Sequence, residues 1–322
     1  MFGPSIVTEQ LASSSSQRES FLRSTLSDYW ALTKPEVNFL ILITTGVGFY
    51  LGCRNEARPL SVLALFNTLL GTLLVASGTG TLNQYIEREF DAQMRRTARR
   101  PAAAGRLEPA AVLAFGIALA AAGTVYLAGA VNLLTSSLAA LTLLIYLFLY
   151  TPLKRKTALC VPVGAFPGAM PPLIGWAAAS GHLPLQAWTL YALLFLWQFP
   201  HFMAIAWMYR EDYDRAGYLV LPHHGGARAR FVNCQTMLPL LILAFLSLLS
   251  GLEGARTLYW LAALALNLGF LYYGMRFVLN KSGPTARRLL AASIIYLPLL
   301  FALIAAPQRL THPRDNGQES RH

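Results

Sequence analysis

The sequence predicts an all-α, polytopic integral membrane protein, with about nine transmembrane helices around a central cavity. Three observations carry this. Charged residues make up 13% of the 322, against about 25% in soluble domains. Mean hydropathy is +0.45. Uncharged apolar windows of about 20 residues, the length of a spanning helix, recur along the chain. Together they exclude a soluble enzyme, a disordered chain and a disulfide-stapled secreted domain. The net charge of +11 raises nucleic acid as a partner, but basic cytoplasmic loops explain it better. No nucleic-acid partner is expected.

The predicted spans are 36–53, 60–84, 108–129, 131–151, 159–179, 184–208, 237–252, 257–279 and 288–306. The fifth holds Pro162, Pro167, Pro171 and Pro172 with Gly164, Gly168 and Gly175, so it cannot be one straight helix. Broken helices survive in membranes where they line a cavity or pack inside protein. With the N-terminus in the cytoplasm, cytoplasmic segments carry 20 Lys and Arg and the opposite side 6. That bias sets the orientation and places the C-terminus outside.

Residues 1–28 read as a disordered cytoplasmic arm, 29–306 as the membrane domain and 307–322 as a loose tail. No apolar core precedes the first span, and Glu9, Glu19 and Asp28 argue against an acid-poor transit peptide. Cys53, Cys160 and Cys234 are too scattered for a metal knuckle and read as small apolar fillers.

The acids point to chemistry. Six of the fifteen fall in two short windows: Glu87, Glu89 and Asp91 after span two, and Glu211, Asp212 and Asp214 after span six. The topology puts both windows on one membrane face. Asn83, Glu87 and Asp91 are spaced i, i+4, i+8 and share a helix face, which continues to Arg95 and Arg99 before Pro101 stops the helix. Oxygen donors suit Mg²⁺, and arginines suit phosphate. Alone, the stripe reads better as a solvated helix end with an ordinary Asp91–Arg95 pair. The second acid window favours a shared divalent-metal site. Lys154 could hold a phosphate or anchor the loop, whereas Arg155 and Lys156 read as anchors. His201, beside Pro200, could satisfy a freed carbonyl, ligate a metal, act as a base or contact a porphyrin.

Asn83-Gln84-Tyr85-Ile86-Glu87-Arg88-Glu89-Phe90-Asp91, with Met94-Arg95-Arg96-Thr97 and Arg100-Pro101, resembles the first Asp-rich motif of the UbiA-type intramembrane prenyltransferases. Four further stretches are similar to that superfamily's haem-farnesylating branch. They are Leu32-Thr33-Lys34-Pro35, Tyr150-Thr151-Pro152-Leu153-Lys154, Pro167 through Trp176, and Trp197-Gln198-Phe199-Pro200-His201-Phe202 running on to Tyr209-Arg210-Glu211-Asp212-Tyr213 and Ala216-Gly217. Glu87 departs from the pattern, standing where many relatives have Asp. Tyr213 stands where other branches carry a second-motif Asp, which favours the haem branch.

The resemblance implies farnesyl transfer from farnesyl diphosphate to the 2-vinyl of haem B, with water addition, giving haem O and diphosphate. It implies Mg²⁺ on Asn83, Glu87, Asp91 and Asp212. It further implies Tyr150 and Lys154 in the catalytic centre, and Arg95, Arg96, Arg100, His201, Tyr209 and Tyr213 on the substrates. The expected setting is a bacterial inner membrane with the site facing the cytoplasm, and a haem A synthase as a docking partner. Two alternatives stay open: a sibling prenyltransferase acting on an aromatic or chlorin acceptor, and a transporter. The clustering of acids at one face, rather than at the midplane, argues against the transporter.

Overall fold

The computed structural model describes residues 24–222, 225–249 and 257–306. Most of the expected N-terminal arm, all of the C-terminal tail, and His223 and His224 lie outside them. The last residues of that arm belong to a short helix, α1, over residues 24–32.

Lys34 then adopts a left-handed backbone (φ 52°) and Pro35 opens α2, Pro35–Asn55. Proline suits this position because its fixed φ is helical and it has no N–H to leave unpaired. α3 runs Val62–Asp91, 30 residues, with Ser61 as its cap. At 1.5 Å per residue it is about 45 Å long, well beyond a hydrocarbon core of about 30 Å. Its last turns therefore stand at the membrane surface.

α4, Pro109–Ala130, lies against α3 through small residues. A Cβ on Gly78 would sit 2.5 Å from the Ala120 nitrogen, and one on Gly123 2.7 Å from the Val75 nitrogen. Such close approach is how helices associate without a hydrophobic drive between them.

α5, Leu133–Leu144, passes into a π-helical segment, Ile145–Tyr150, and the single turn α6, Thr151–Leu153. The fifth span is broken as its prolines require: α7, Cys160–Gly168, and α8, Met170–Ser180, meet at Ala169. Gln198 Nε2 donates to the Ala165 carbonyl oxygen at 3.0 Å, satisfying backbone beside the break. A Cβ on Gly175 would run into the Thr45 carbonyl oxygen of α2.

α9, Leu185–Met208, and α10, Arg210–Arg215, precede α11, Gly225–Leu249. α12, Thr257–Leu279, and α13, Gly283–Ala305, complete the chain. α11 starts twelve residues before its predicted span. Arg228, Arg230, Asn233 and Gln235 dilute the hydropathy of that first part, so an apolar window cannot find it.

Among the described residues, seven of these helices and the continuous stretch Leu133–Leu153 (α5, the π segment and α6) are long and apolar enough to cross a membrane, and α7–α8 makes a ninth passage. This is an integral multi-pass membrane protein. Contacts fix alternate directions. Arg54 Nη1 donates to the Ala305 and Ala306 carbonyl oxygens at 3.2 and 3.1 Å. Arg58 reaches the Ala179 carbonyl oxygen at 3.4 Å. The C-terminal ends of α2, α8 and α13 thus share one face. The start of α2 and the ends of α3, α5 and α9 share the other. Inside the bundle, buried polar groups satisfy one another: Tyr296 Oη donates to Asn267 Oδ1 at 2.7 Å and Tyr259 Oη to the Ser247 carbonyl oxygen at 2.8 Å. Cys53 and Cys160 are buried as expected, but Cys234 is exposed; it lies in the polar part of α11.

Candidate active site

Asn83, Glu87 and Asp91 occupy the surface turns of α3, yet only 1%, 5% and 1% of each is exposed. A solvated helix end does not bury its acids this way. Each instead meets a cation from a different part of the chain. Lys34 Nζ donates to Asn83 Oδ1 at 2.8 Å. Lys154 Nζ meets Glu87 Oε1 at 2.8 Å. Arg100 Nη1 meets Asp91 Oδ2 at 2.7 Å. Asp91 Oδ1 is buried with no hydrogen-bond partner among the described residues. Orphaned buried oxygens are uncommon and mark a place for a ligand.

Local structure aims these cations. The left-handed Lys34 turns the chain into α2 and lets its side chain reach Asn83 on α3. The π segment adds a residue to the last turns of α5, as π bulges at functional sites do. It presents Tyr150, Thr151 and Lys154 to α3. Thr151 Oγ1 accepts from Asn83 Nδ2 at 3.3 Å. Lys154 Nζ lies 4.4 Å from the Tyr150 ring centroid and 6.0 Å from that of Tyr218. Gly164 makes room for the Tyr150 ring, since a Cβ there would sit 2.5 Å from it.

Arg100 arrives by a turn, not by the helix stripe. The helix stops at Asp91 rather than running on towards Pro101. Thr97 Oγ1 donates to the Asp91 carbonyl oxygen at 2.9 Å, and Met94 is buried under the helix end. The chain doubles back and brings Arg100 to Asp91. Arg95 is left exposed in the turn, off the face it was predicted to share.

The two lysines differ electrostatically. Burial, with Arg100 and Lys154 nearby, pushes Lys34 down to about 7. Burial would also depress Lys154, but the Glu87 carboxylate beside it outweighs that and holds it well above the usual value. Lys154 is held as a cation by its buried pair, whereas Lys34, bonded to a neutral amide, gives up its proton far more easily.

Asp212 is also buried, on α10, and pairs with Arg215 Nη1 at 3.1 Å. Among the described residues no three His, Cys, Asp or Glu side chains converge as a metal cluster; Glu87, Asp91 and Asp212 are each paired with a cation. Tyr209 and Tyr213 form a separate group. The Arg96 guanidinium lies 5.0 Å from the Tyr209 ring centroid, and its Nη2 donates to Tyr213 Oη at 3.5 Å. The Tyr213 ring meets Tyr218 at 6.2 Å, which joins this group to Lys154. His201 stands apart. Its Nδ1 is 2.8 Å from Ser293 Oγ on α13, and its ring stacks on Trp197 at 4.6 Å. The acid cluster and the His201 pair are thus two places. Lys34 and Tyr218 were not foreseen as site residues; for Lys34 the available signal was a lysine immediately before the proline that opens a span.

The sequence matches the UbiA prenyltransferase family over residues 41–304. The chain belongs to the UbiA prenyltransferase family. A Solibacter usitatus relative described as protoheme IX farnesyltransferase is 46% identical over 290 residues, covering 87% of this chain and 98% of that protein. One from Aquifex aeolicus with the same description is 39% identical over 289 residues, covering 89% and 97%. Solved structures of the UbiA fold also superpose. A digeranylgeranylglyceryl phosphate synthase gives a TM-score of 0.68 at 18% identity, covering 88% of this chain and 98% of its own. A UbiA homologue from Archaeoglobus fulgidus bound to DMAPP and Mg²⁺ gives 0.61 at 17%, covering 87% and 100%. At these identities the structures confirm the all-helical UbiA fold.

Proposed function

We propose that this UbiA-family protein transfers the farnesyl group of farnesyl diphosphate to the 2-vinyl of haem B, with water addition, giving haem O and diphosphate. One observation carries the site: three buried oxygen-bearing side chains on α3, each matched to a cation from a different segment, at one membrane face. The relatives described as protoheme IX farnesyltransferase support the acceptor.

Asn83, Glu87, Asp91 and Asp212 are the proposed Mg²⁺ ligands. The donor set fits, being all oxygen, with one carboxylate oxygen of Asp91 unsatisfied. When bound, Mg²⁺ supplies neutralising charge for the diphosphate. Lys34, Lys154 and Arg100 bind the diphosphate oxygens, with Arg95 and Arg96 at the mouth. These donors stabilise the charge that develops as the allylic carbon–oxygen bond breaks. The Tyr150 face beside Lys154 suits the departing allylic cation. The vinyl electron pair then forms the new carbon–carbon bond. Water adds to the resulting carbocation and loses a proton. Until then the apolar helix walls exclude water. Tyr209 and Tyr213 contact substrate beside Arg96, and the stacked Trp197–His201 pair offers a flat surface to the porphyrin.

The Lys and Arg bias supports the site facing the cytoplasm, and the bacterial relatives support an inner-membrane location. A haem A synthase would be the partner receiving the product. The test is haem B, farnesyl diphosphate and Mg²⁺ with the purified protein in detergent, the pigments resolved by mass. Asp91→Ala should form no haem O while staying folded, because the Arg100 side chain it releases is already partly exposed; a wild-type rate would remove Asp91 from the site. Preference for a hydroxybenzoate acceptor over haem B would move the protein to a sibling activity.

A further inference from the structure

We propose that the α12–α13 turn holds the phosphate of an anionic phospholipid. A cleft of about 160 Å³ lies there, lined by Tyr272, Tyr273, Arg276, Thr285 and Arg288. Pockets for whole small molecules run to roughly 300–1,000 Å³, so this one suits a headgroup phosphate better than a soluble ligand. Arg276 and Arg288 are exposed, with Arg287 and Lys281 close in sequence. Between residues 254 and 306 there is no Asp or Glu. Among the described residues none of these four cations forms an ion pair, whereas Arg100, Lys154 and Arg215 each hold a carboxylate. Arg276 Nη1 donates only to Tyr272 Oη, at 3.3 Å. The positive charge of this corner is thus uncompensated among the described residues.

Two further features select a lipid. The Trp207 ring at the end of α9 meets Phe277 at 6.2 Å, so the cleft is on the face of the diphosphate site, the proposed cytoplasmic face. Anionic lipids there attract basic side chains. From the cleft, an exposed apolar stripe runs down α12 through Leu268, Leu264 and Leu261, at helical spacing below Tyr272. It gives acyl chains a track beneath a headgroup held by Arg276 and Arg288. Tyrosines at such a level are typical of the membrane interface.

The test titrates the full-length protein in detergent with fluorescent phosphatidylglycerol, and with phosphatidylcholine bearing the same label. Phosphatidylglycerol should bind about tenfold or more tightly. Arg276→Gln and Arg288→Gln should each weaken it about fivefold, and the pair about thirtyfold, from about 1 kcal/mol per basic residue. Phosphatidylcholine binding and farnesyl transfer in detergent should not change, which also reports the fold. Arg88→Gln, on the same face, serves as a charge control. Equal loss in that control, no loss in the double variant, or no preference between the lipids overturns the proposal. Displacement of the labelled lipid by inorganic phosphate or pyrophosphate would make the cleft a soluble-anion site, and displacement by haem B would make it part of the substrate site; either outcome overturns it too.

Discussion

Glu87 and Lys154 are both nearly buried, with side chains 6% and 12% exposed. Removing one partner of such a pair strands the other charge, at a cost of about 3–5 kcal/mol, while replacing both by apolar groups is often neutral. Glu87→Gln should therefore lower the thermal midpoint in detergent markedly. The double variant Glu87→Met with Lys154→Met should regain most of that stability and still make no haem O. A double variant as unstable as the single would show that the pair is not separable from its neighbours. Lys34 is the opposite case. It bonds a neutral amide, so Lys34→Met strands no charge. On the proposed assignment it should raise the KM for farnesyl diphosphate about tenfold to hundredfold, the worth of a charge-assisted hydrogen bond. An unchanged KM would leave Lys34 only a role at the start of α2. The acids were legible in the sequence because i, i+4, i+8 spacing defines a helix face. Lys34 was not, because its partner lies 49 positions away and only a left-handed backbone turn joins them.

At the scale of elements, the sequence shows spans well and their polar ends poorly. Apolar windows find most spans, and four prolines announce the broken fifth. They miss the first part of α11, where charge hides the helix. The same method carries α3 too far, because i, i+4 spacing cannot see Thr97 folding back on Asp91. It also cannot see the π segment, which sets the register of Lys154. Deleting the lipid-exposed Leu149 should convert that segment to α-helix. One residue fewer rotates the downstream turn by about 100°, moving Lys154 away from Glu87. The deletion should abolish haem O formation and lower stability, while Leu149→Ala, which keeps the count, should do neither. Activity in the deletion would mean that register does not matter here.

For the whole molecule, nine passages place the N- and C-terminal ends of the described bundle on opposite faces. In a background with Cys53, Cys160 and Cys234 replaced, Gln93→Cys should label only from the cytoplasmic side and Asn55→Cys only from the other. Labelling of both from one side would break the alternation inferred from the Arg54 and Arg58 contacts. The matching of acids with cations has a further consequence for how ligands arrive. A bare divalent ion finds its carboxylates already engaged by Lys154 and Arg100. A bare diphosphate meets the acids that those cations leave exposed when they turn towards it. Only the two together satisfy every group, so on the proposed assignment occupancy is mutually conditional. Calorimetry should find weak binding of Mg²⁺ alone and of a non-hydrolysable farnesyl diphosphate analogue alone, with each strengthening the other by the same factor. The ground state would then act as a coincidence detector, idle in a cell rich in magnesium until the prenyl donor comes with it.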